Sequence, residues 1–143
     1  MPIKARAKLA CEIAGIDPQR FNEMVHAGHY PCAPATRPGS ARIFEIDEIV
    51  ALRIFGNFLK MGMVPERAGK IACQAFGQFV DDPDVSHMVY MIRRNGAMHM
   101  VKRIKTDDDS LPEHSIVMDI PSMREFVVSQ LEYERDNQIV GEG

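Results

Sequence analysis

The chain has 143 residues, of which 45% are hydrophobic and 26% are charged. This length and composition are typical of one globular domain or two small modules, and they exclude wholesale disorder. No apolar run reaches the roughly 18 residues of a membrane span, and no apolar segment follows the basic N-terminus as in a secretion signal. The three cysteines are widely spaced and odd in number, which argues against a disulfide framework, so we expect a protein of the reducing cytoplasm.

The net charge of −3 conceals an asymmetry between the two halves of the chain. Residues 1–80 hold ten basic and seven acidic residues, whereas residues 81–143 hold seven basic and thirteen acidic residues. A basic first half joined to an acidic second half favours an anionic partner for one end only.

The first two predicted elements are helices joined by a sharp turn. Apolar residues recur at helical spacing over residues 4–14, and Gly15 follows as the residue after the helix. Asp17 and Pro18 are an N-cap and a proline at the first helical position, so a second helix is predicted from there to about residue 27. Because so few residues separate the two helices, they are predicted to form a helix-turn-helix.

A segment rich in proline, residues 29–42, interrupts the helical pattern and predicts a protruding β-hairpin or extended loop. Asp47 is then the predicted cap of a third helix, which ends at Gly62. Pro65 starts a predicted fourth helix that runs to about residue 79.

The second half of the chain reads as a small sheet followed by a helix, after an acidic boundary at residues 81–84. Asn95 and Gly96 form the strongest short hairpin signal in the sequence. Ser122 and Glu125 form a predicted capping box for a short last helix. The predicted strands cover residues 86–94, 97–105 and 115–120.

Five short motifs with coherent spacing carry a family resemblance. They are Ala-Gly-Ile-Asp-Pro at residues 14–18, Gly28 after the second helix, Arg-Ile-Phe at 42–44, an acidic helix start at 47–53, and Met-Gly-Met-Val-Pro-Glu at 61–66. They resemble MerR-type winged helix-turn-helix transcriptional regulators. The first two motifs correspond to the turn before the recognition helix of that family and to the end of that helix. The third corresponds to the close of the wing, the fourth to the start of the next helix, and the fifth to the turn before the fourth helix. The resemblance covers residues 9–76.

The resemblance has two departures. Asn22-Glu23 stands where the family usually carries Arg-Tyr in the recognition helix. The long dimerising helix of the family is replaced by the predicted hairpin, strand and short helix. The expected fold is therefore mainly helical with a small α+β part: a winged helix-turn-helix over residues 1–80 and a small dimerisation or interaction module over residues 85–143.

The second helix and the wing carry the side chains predicted to contact DNA. Arginine and asparagine read guanine and adenine edges in the major groove, and cations in a protruding wing suit phosphate or minor-groove contact. For the second helix, the alternative is that these side chains only form a solvated face. For the wing, the alternative is that Arg42 pairs internally with Glu45 or Asp47. The predicted DNA-contacting residues are Arg20, Asn22, His26, Arg37, Ser40 and Arg42.

Metal binding and catalysis find little support in the sequence. His26, His29 and Cys32 have a loose metal-ligand spacing, but they cross from a helix end into a proline-rich loop, so no metal is predicted. The 10 methionines indicate adaptable packing rather than soft-metal binding. The sequence holds no nucleophile elbow, phosphate-binding loop, dinucleotide turn or HExxH pair, so neither an enzyme nor a cofactor is predicted.

The sequence therefore predicts a cytoplasmic, sequence-specific regulator of transcription that binds double-stranded DNA as a homodimer. No membrane contact is expected, and RNA polymerase or another protein is a candidate partner for the C-terminal half. The alternative is a protein-interaction adaptor that uses a helix-turn-helix scaffold without DNA contact and works through its acidic second half.

Overall fold

The computed structural model describes residues 4–36, 41–92, 98–104 and 114–141 of the chain. Within these residues the chain forms five helices and two small antiparallel sheets. A mainly helical fold with a small antiparallel sheet is therefore confirmed. In chain order the elements are β1 (Ala5–Arg6), α1 (Ala7–Ala14), α2 (Pro18–His26), β2 (Ile43–Phe44), α3 (Ile46–Lys60), α4 (Pro65–Phe79), β3 (Val85–Ile92), β4 (Met98–Ile104), β5 (His114–Asp119) and α5 (Ile120–Gly141).

The turn between α1 and α2 follows the predicted local signals. Gly15 has a positive φ of 75°, and the N–H groups of Gly15 and Ile16 donate to carbonyls in the last turn of α1. The Asp17 carboxylate accepts the backbone N–H of Arg20 at 2.9 Å, and Pro18 is the first residue of α2. These contacts satisfy the helix ends that meet at the turn, and they confirm the predicted cap and turn residues.

The residues before α1 form a strand rather than the first turn of the helix. Helical spacing predicted a helix from residue 4, whereas β1 precedes α1 and pairs antiparallel with β2, with Ala5 opposite Phe44. The segment over residues 29–42 was predicted as a hairpin or an extended loop, and its described part contains no strand before β2. The pairing of β2 with β1 therefore holds the C-terminal end of this loop next to the start of α1.

The start of α3 differs from the prediction in its capping residue. Glu45 is the N-cap, and its backbone N–H donates to the Glu48 carboxylate at 2.9 Å. Burial raises the pKa of the Glu48 carboxyl above its usual range. Asp47, the predicted cap, lies in the first turn and pairs with Arg124 instead, with 2.7 Å between Nε and Oδ1. Three carboxylates lie within residues 45–48, and only one residue can occupy the cap position, which is Glu45.

The turn between α3 and α4 agrees with its sequence signals. Gly62 has a positive φ of 94° just after the C-cap of α3, where glycine avoids the steric cost of other residues. Pro65 is the first residue of α4, and the helix ends at Phe79. The predicted end of α3 and the predicted bounds of α4 are confirmed.

The second half contains the three predicted strands in one sheet. β3 lies in the centre, with β4 and β5 antiparallel on its two sides. Ile92 of β3 is opposite Met98 of β4. The predicted hairpin residues Asn95 and Gly96 lie outside the described part of the chain. The predicted three-stranded sheet is confirmed.

The last helix is longer than predicted and has a different cap. The Asp119 carboxylate accepts the N–H of Ser122 at 3.0 Å, which places the cap before Ile120 rather than at Ser122. Pro121 is accommodated in the first turn, where its missing N–H costs no hydrogen bond. α5 has 22 residues, so the expectation of a short helix is wrong.

One hydrophobic cluster joins the two predicted modules. It includes residues of α1, α3 and α4 together with residues of the sheet and α5. The Phe58 and Tyr90 rings, for example, meet edge to face with their centroids 5.5 Å apart. The members from the second half that are at most 5% exposed are Val85, Met88, Tyr90, Ile120, Val127 and Leu131.

A disulfide bond joins the loop after α2 to α4. The Cys32 and Cys73 sulfurs are 2.13 Å apart, and the Cys32 N–H points to the Cys73 sulfur at 3.2 Å. The expectation against a disulfide is wrong here. Spacing could not reveal the pair, because its members lie 41 residues apart and only the packing of the loop on α4 brings them together. Cys11 is free and buried.

Candidate nucleic-acid interface

The orientation of α2 is set by its inner face. Phe21 and Met24 are buried there, at 2% and 6% exposure. The Phe21 ring meets the rings of Tyr30 and Phe44 with centroids 5.5 Å and 6.0 Å apart. Tyr30 in turn packs on Phe55 of α3 at 4.8 Å. This aromatic cluster anchors α2, the loop and β2 to α3, so the opposite, polar face of α2 is directed to solvent.

A groove of about 560 Å³ runs between this polar face and the loop. The structure brings together three of the predicted DNA-contacting residues on its walls, namely Asn22, His26 and Arg42. Asn22 and His26 lie one helical turn apart in α2, and Arg42, at the end of the loop, lines the same groove. The full lining is Ala7, Pro18, Gln19, Phe21, Asn22, His26, Thr36, Ala41 and Arg42.

Arg20 does not belong to this lining, and Gln19 does. At about 100° per residue, Arg20 and Asn22 project roughly 160° apart around the helix axis. Gln19 instead precedes Asn22 by three positions and shares its side of the helix. Sequence reasoning missed Gln19, although its helical spacing to Asn22 and His26 was a usable signal.

Arg42 joins the two limbs of the loop. Its guanidinium Nη1 donates to the Pro34 carbonyl, and the side chain is half-buried. The alternative pairing of Arg42 with Glu45 or Asp47 is not found. Glu45 lies 3.6 Å from the Lys4 ammonium, and Asp47 is bound by Arg124, as described above.

The remaining two predicted contact residues, Arg37 and Ser40, lie outside the described part of the chain. Around the groove, Arg6 and Lys8 are exposed on either side of the lining residue Ala7. Glu23 is an exposed carboxylate on the outer face of α2. The surface therefore offers cations beside amide and imidazole hydrogen-bonding groups, which is the chemistry that binds phosphates and base edges.

The loose His26, His29 and Cys32 spacing does not form a metal site, because the Cys32 sulfur is bonded to Cys73. Elsewhere in the described residues, no group of three or more His, Cys, Asp or Glu side chains is placed to hold a metal ion.

Two buried helix glycines allow close backbone contacts beneath the interface. A Cβ on Gly56 of α3 would lie 2.6 Å from the Ala14 carbonyl at the end of α1. A Cβ on Gly69 of α4 would lie 1.6 Å from the His29 carbonyl at the base of the loop. Both distances are too short for any other residue, so glycine lets the helix pair and the loop lie directly on α3 and α4.

Comparison with models of protein families finds no match for this sequence, and comparison with curated proteins finds none either. Over the described residues, no helix combines the length and apolar character needed to cross a membrane.

Proposed function

We propose that this chain binds double-stranded DNA sequence-specifically through α2 and the loop that follows it, as a winged helix-turn-helix regulator of transcription resembling the MerR type. The observation that carries the proposal is the groove that Asn22 and His26 of an anchored helix line together with Arg42 of the loop. An anchored helix with a solvated polar face is what insertion into a major groove requires.

The two walls of the groove have different tasks in this proposal. The amides of Gln19 and Asn22 read base edges in the major groove, since amide groups match adenine in two hydrogen bonds. Arg42 contacts the phosphate backbone, because its guanidinium is held at the end of the loop by Pro34. Arg6 and Lys8 add attraction that does not depend on base sequence.

The proposed regulator acts as a homodimer, because one such module reads few base pairs and two-fold pairing on a pseudo-palindrome supplies the missing specificity. We assign the dimer contact to the second half. Phe126 and Tyr133 of α5 are 38% and 60% exposed and lie seven residues apart, which places them on one side of the helix. Sedimentation of the full chain tests this: Tyr133→Glu should shift a dimer to monomer, whereas Tyr133→Phe should not.

The experiment for DNA binding starts with selection of duplexes from genomic fragments by the purified full-length protein. Binding of the selected site and of random duplex is then measured over a range of salt concentrations. We expect log K to fall linearly with log salt, by about 0.9 per phosphate neutralised. A specific site should bind at least roughly a thousandfold more tightly than random duplex.

A second candidate function, the protein-interaction adaptor, is favoured by one observation. Met61 and Val64, at the turn between α3 and α4, are 58% and 62% exposed. They line a groove with Phe58 and Ile116, so an apolar surface is available to a protein partner. Absence of selected duplexes, with binding that does not respond to salt, would favour the adaptor over the DNA-binding regulator.

A further inference from the structure

One covalent bond ties the loop beside the groove to the helical core. Cys32 lies shortly after the buried Tyr30, and Cys73 lies within α4. Both cysteines are half-buried. The bond therefore fixes the loop to α4 just before the loop continues to Thr36, which lines the groove.

The segment that follows Cys32 is linked to the groove by Arg42. The Pro34 carbonyl, two residues beyond Cys32, accepts the hydrogen bond of the Arg42 guanidinium. Arg42 itself lines the groove together with Asn22. Breaking the bond at Cys32 therefore affects the groove through Pro34 and its hydrogen bond with Arg42.

The base of the loop has anchors that do not depend on the bond. Tyr30 packs between Phe21 and Phe55, and the His29 carbonyl lies against Gly69. Opening the bond therefore loosens the segment after Tyr30 and leaves the aromatic cluster in place.

We propose that the Cys32–Cys73 disulfide is a thiol–disulfide exchange site whose redox state sets the affinity of the groove for DNA, an inference that rests on the proposed function. The co-substrate is a low-molecular-mass thiol of the glutathione class. Its thiolate attacks one sulfur of the bond, and the other sulfur leaves as a thiolate and takes a proton. A second thiol then resolves the mixed disulfide. Two small thiols are thereby oxidised to one disulfide, and the protein gains two electrons and two protons as two cysteine thiols.

The oxidised form is the tighter-binding form. A loop that is already fixed to α4 loses less conformational freedom when DNA is bound. If one or two fewer side chains have to be immobilised when DNA binds, the affinity for DNA is higher by roughly threefold to tenfold. Cys11 takes no part, because burial raises the pKa of its thiol to about 11 and keeps it protonated at neutral pH.

The first measurement counts thiols in the full-length protein without DNA. The oxidised chain has one free thiol after denaturation, and the reduced chain has three. We expect millimolar glutathione to convert the folded protein from the first state to the second while its circular dichroism is retained. A bond that opens only in denaturant is a static link and overturns the proposal.

The second measurement compares the affinity of the oxidised and reduced forms for the selected duplex. The matched control is the double variant Cys32→Ser, Cys73→Ser, which keeps Cys11. The reduced protein and the double variant should bind alike, roughly threefold to tenfold more weakly than the oxidised protein, and reductant should not affect the double variant. Equal affinity of the oxidised and reduced forms overturns the proposal and leaves the proposed function intact.

The two proposals fail in distinguishable ways. If neither form binds DNA, the proposed function is refuted. The exchange site is then judged by the thiol count and by amide hydrogen exchange over residues 29–36. Faster exchange in the reduced form supports it, and unchanged exchange overturns it.

Discussion

A single glycine decides how closely the loop lies on α4. Gly69 leaves room for the His29 carbonyl, which a Cβ would meet at 1.6 Å. Since the obstructing atom belongs to the backbone, it cannot move aside as a flexible side chain would. The position of the loop, and with it one wall of the candidate interface, therefore depends on the absence of a side chain at this position.

Replacing Gly69 by alanine should lower the free energy of unfolding by about 1–3 kcal/mol, because the loop must move away from the helix. Gly77 in the same helix is a matched control, since a Cβ there would meet nothing within 4 Å. Gly77→Ala should raise the free energy of unfolding by about 0.5–1 kcal/mol. Urea denaturation measures both, and equal effects of the two substitutions would contradict the close contact.

The two walls of the groove should respond differently to truncation. Asn22→Ala should cost about 1–3 kcal/mol on the selected duplex and relax the preference at one or two base positions. Arg42→Ala should weaken binding to all sequences alike and reduce the salt slope by about one unit.

Competition between selected and random duplex checks this division. Thermal melting of each variant serves as the control for folding. If Asn22→Ala leaves the ratio of specific to random binding unchanged while Arg42→Ala alters it, the loop and not α2 reads the bases.

At the scale of whole elements, one ion pair joins three helices. The Arg124 guanidinium of α5 binds both carboxylate oxygens of Asp47 in α3, at 2.7 Å and 3.1 Å, and donates to the Phe79 carbonyl at the end of α4 at 2.8 Å. The two side chains are only 22% and 15% exposed, so water screens the pair weakly. Asp47 also accepts the Asp81 N–H at 3.0 Å.

Removing either partner of this ion pair should therefore lower the stability of the fold. We expect Asp47→Asn and Arg124→Gln each to lower the free energy of unfolding by about 2–3 kcal/mol, since each leaves a partly buried charge without its partner. The double variant should lose less than the sum of the two, and Glu125→Gln at the exposed neighbouring position should lose no more than about 0.5 kcal/mol. Additive losses in a double-mutant cycle would show that the two side chains do not interact.

The elements that sequence reasoning predicted are those whose signals are local. Gly15, Asp17 and Pro18 define the turn between α1 and α2 within a few residues, and Gly62 and Pro65 do the same for the next helix pair. For the same reason Asn22 and His26 could be placed on an exposed helix face from the sequence alone.

The features that were missed depend on contacts between distant residues. The pairing of β1 with β2 and the bond between Cys32 and Cys73 leave no spacing pattern in the sequence. Asp47 was mistaken for a cap because its partner, Arg124, lies 77 residues further along the chain. Gly69 gave only the weak signal of an isolated glycine in a helix.

At the scale of the whole molecule, the two predicted modules share their hydrophobic core. Val85, Met88 and Ile120 are fully buried in the cluster that contains Phe55 and Phe58 of α3. Part of the apolar surface of the first half is therefore buried only when the second half packs on it.

A chain that ends at residue 84 should consequently lose stability as well as its proposed dimer contact. Removing the buried side chains of the second half exposes apolar surface at about 25 cal/mol per Å², which exceeds the net stability of most domains once several residues are involved. We expect its thermal unfolding to become non-cooperative or to shift down by many degrees. An unchanged, cooperative transition would instead show that residues 1–84 fold independently.

The pairing of β1 with β2 has a consequence for the order in which the chain is assembled. Both α1 and α2 lie between the paired strands in the sequence. Phe21 packs on Tyr30 and Phe44, and Tyr30 in turn packs on Phe55 of α3. Closing so long a segment costs entropy that two short helices cannot offset by themselves, so this pairing is stable only together with the packing around it. Helices of eight and nine residues are marginal in water on their own, so α1 and α2 gain stable structure only when their packing partners are present. The surface that carries Asn22 and His26 is completed only after α3 has been synthesised.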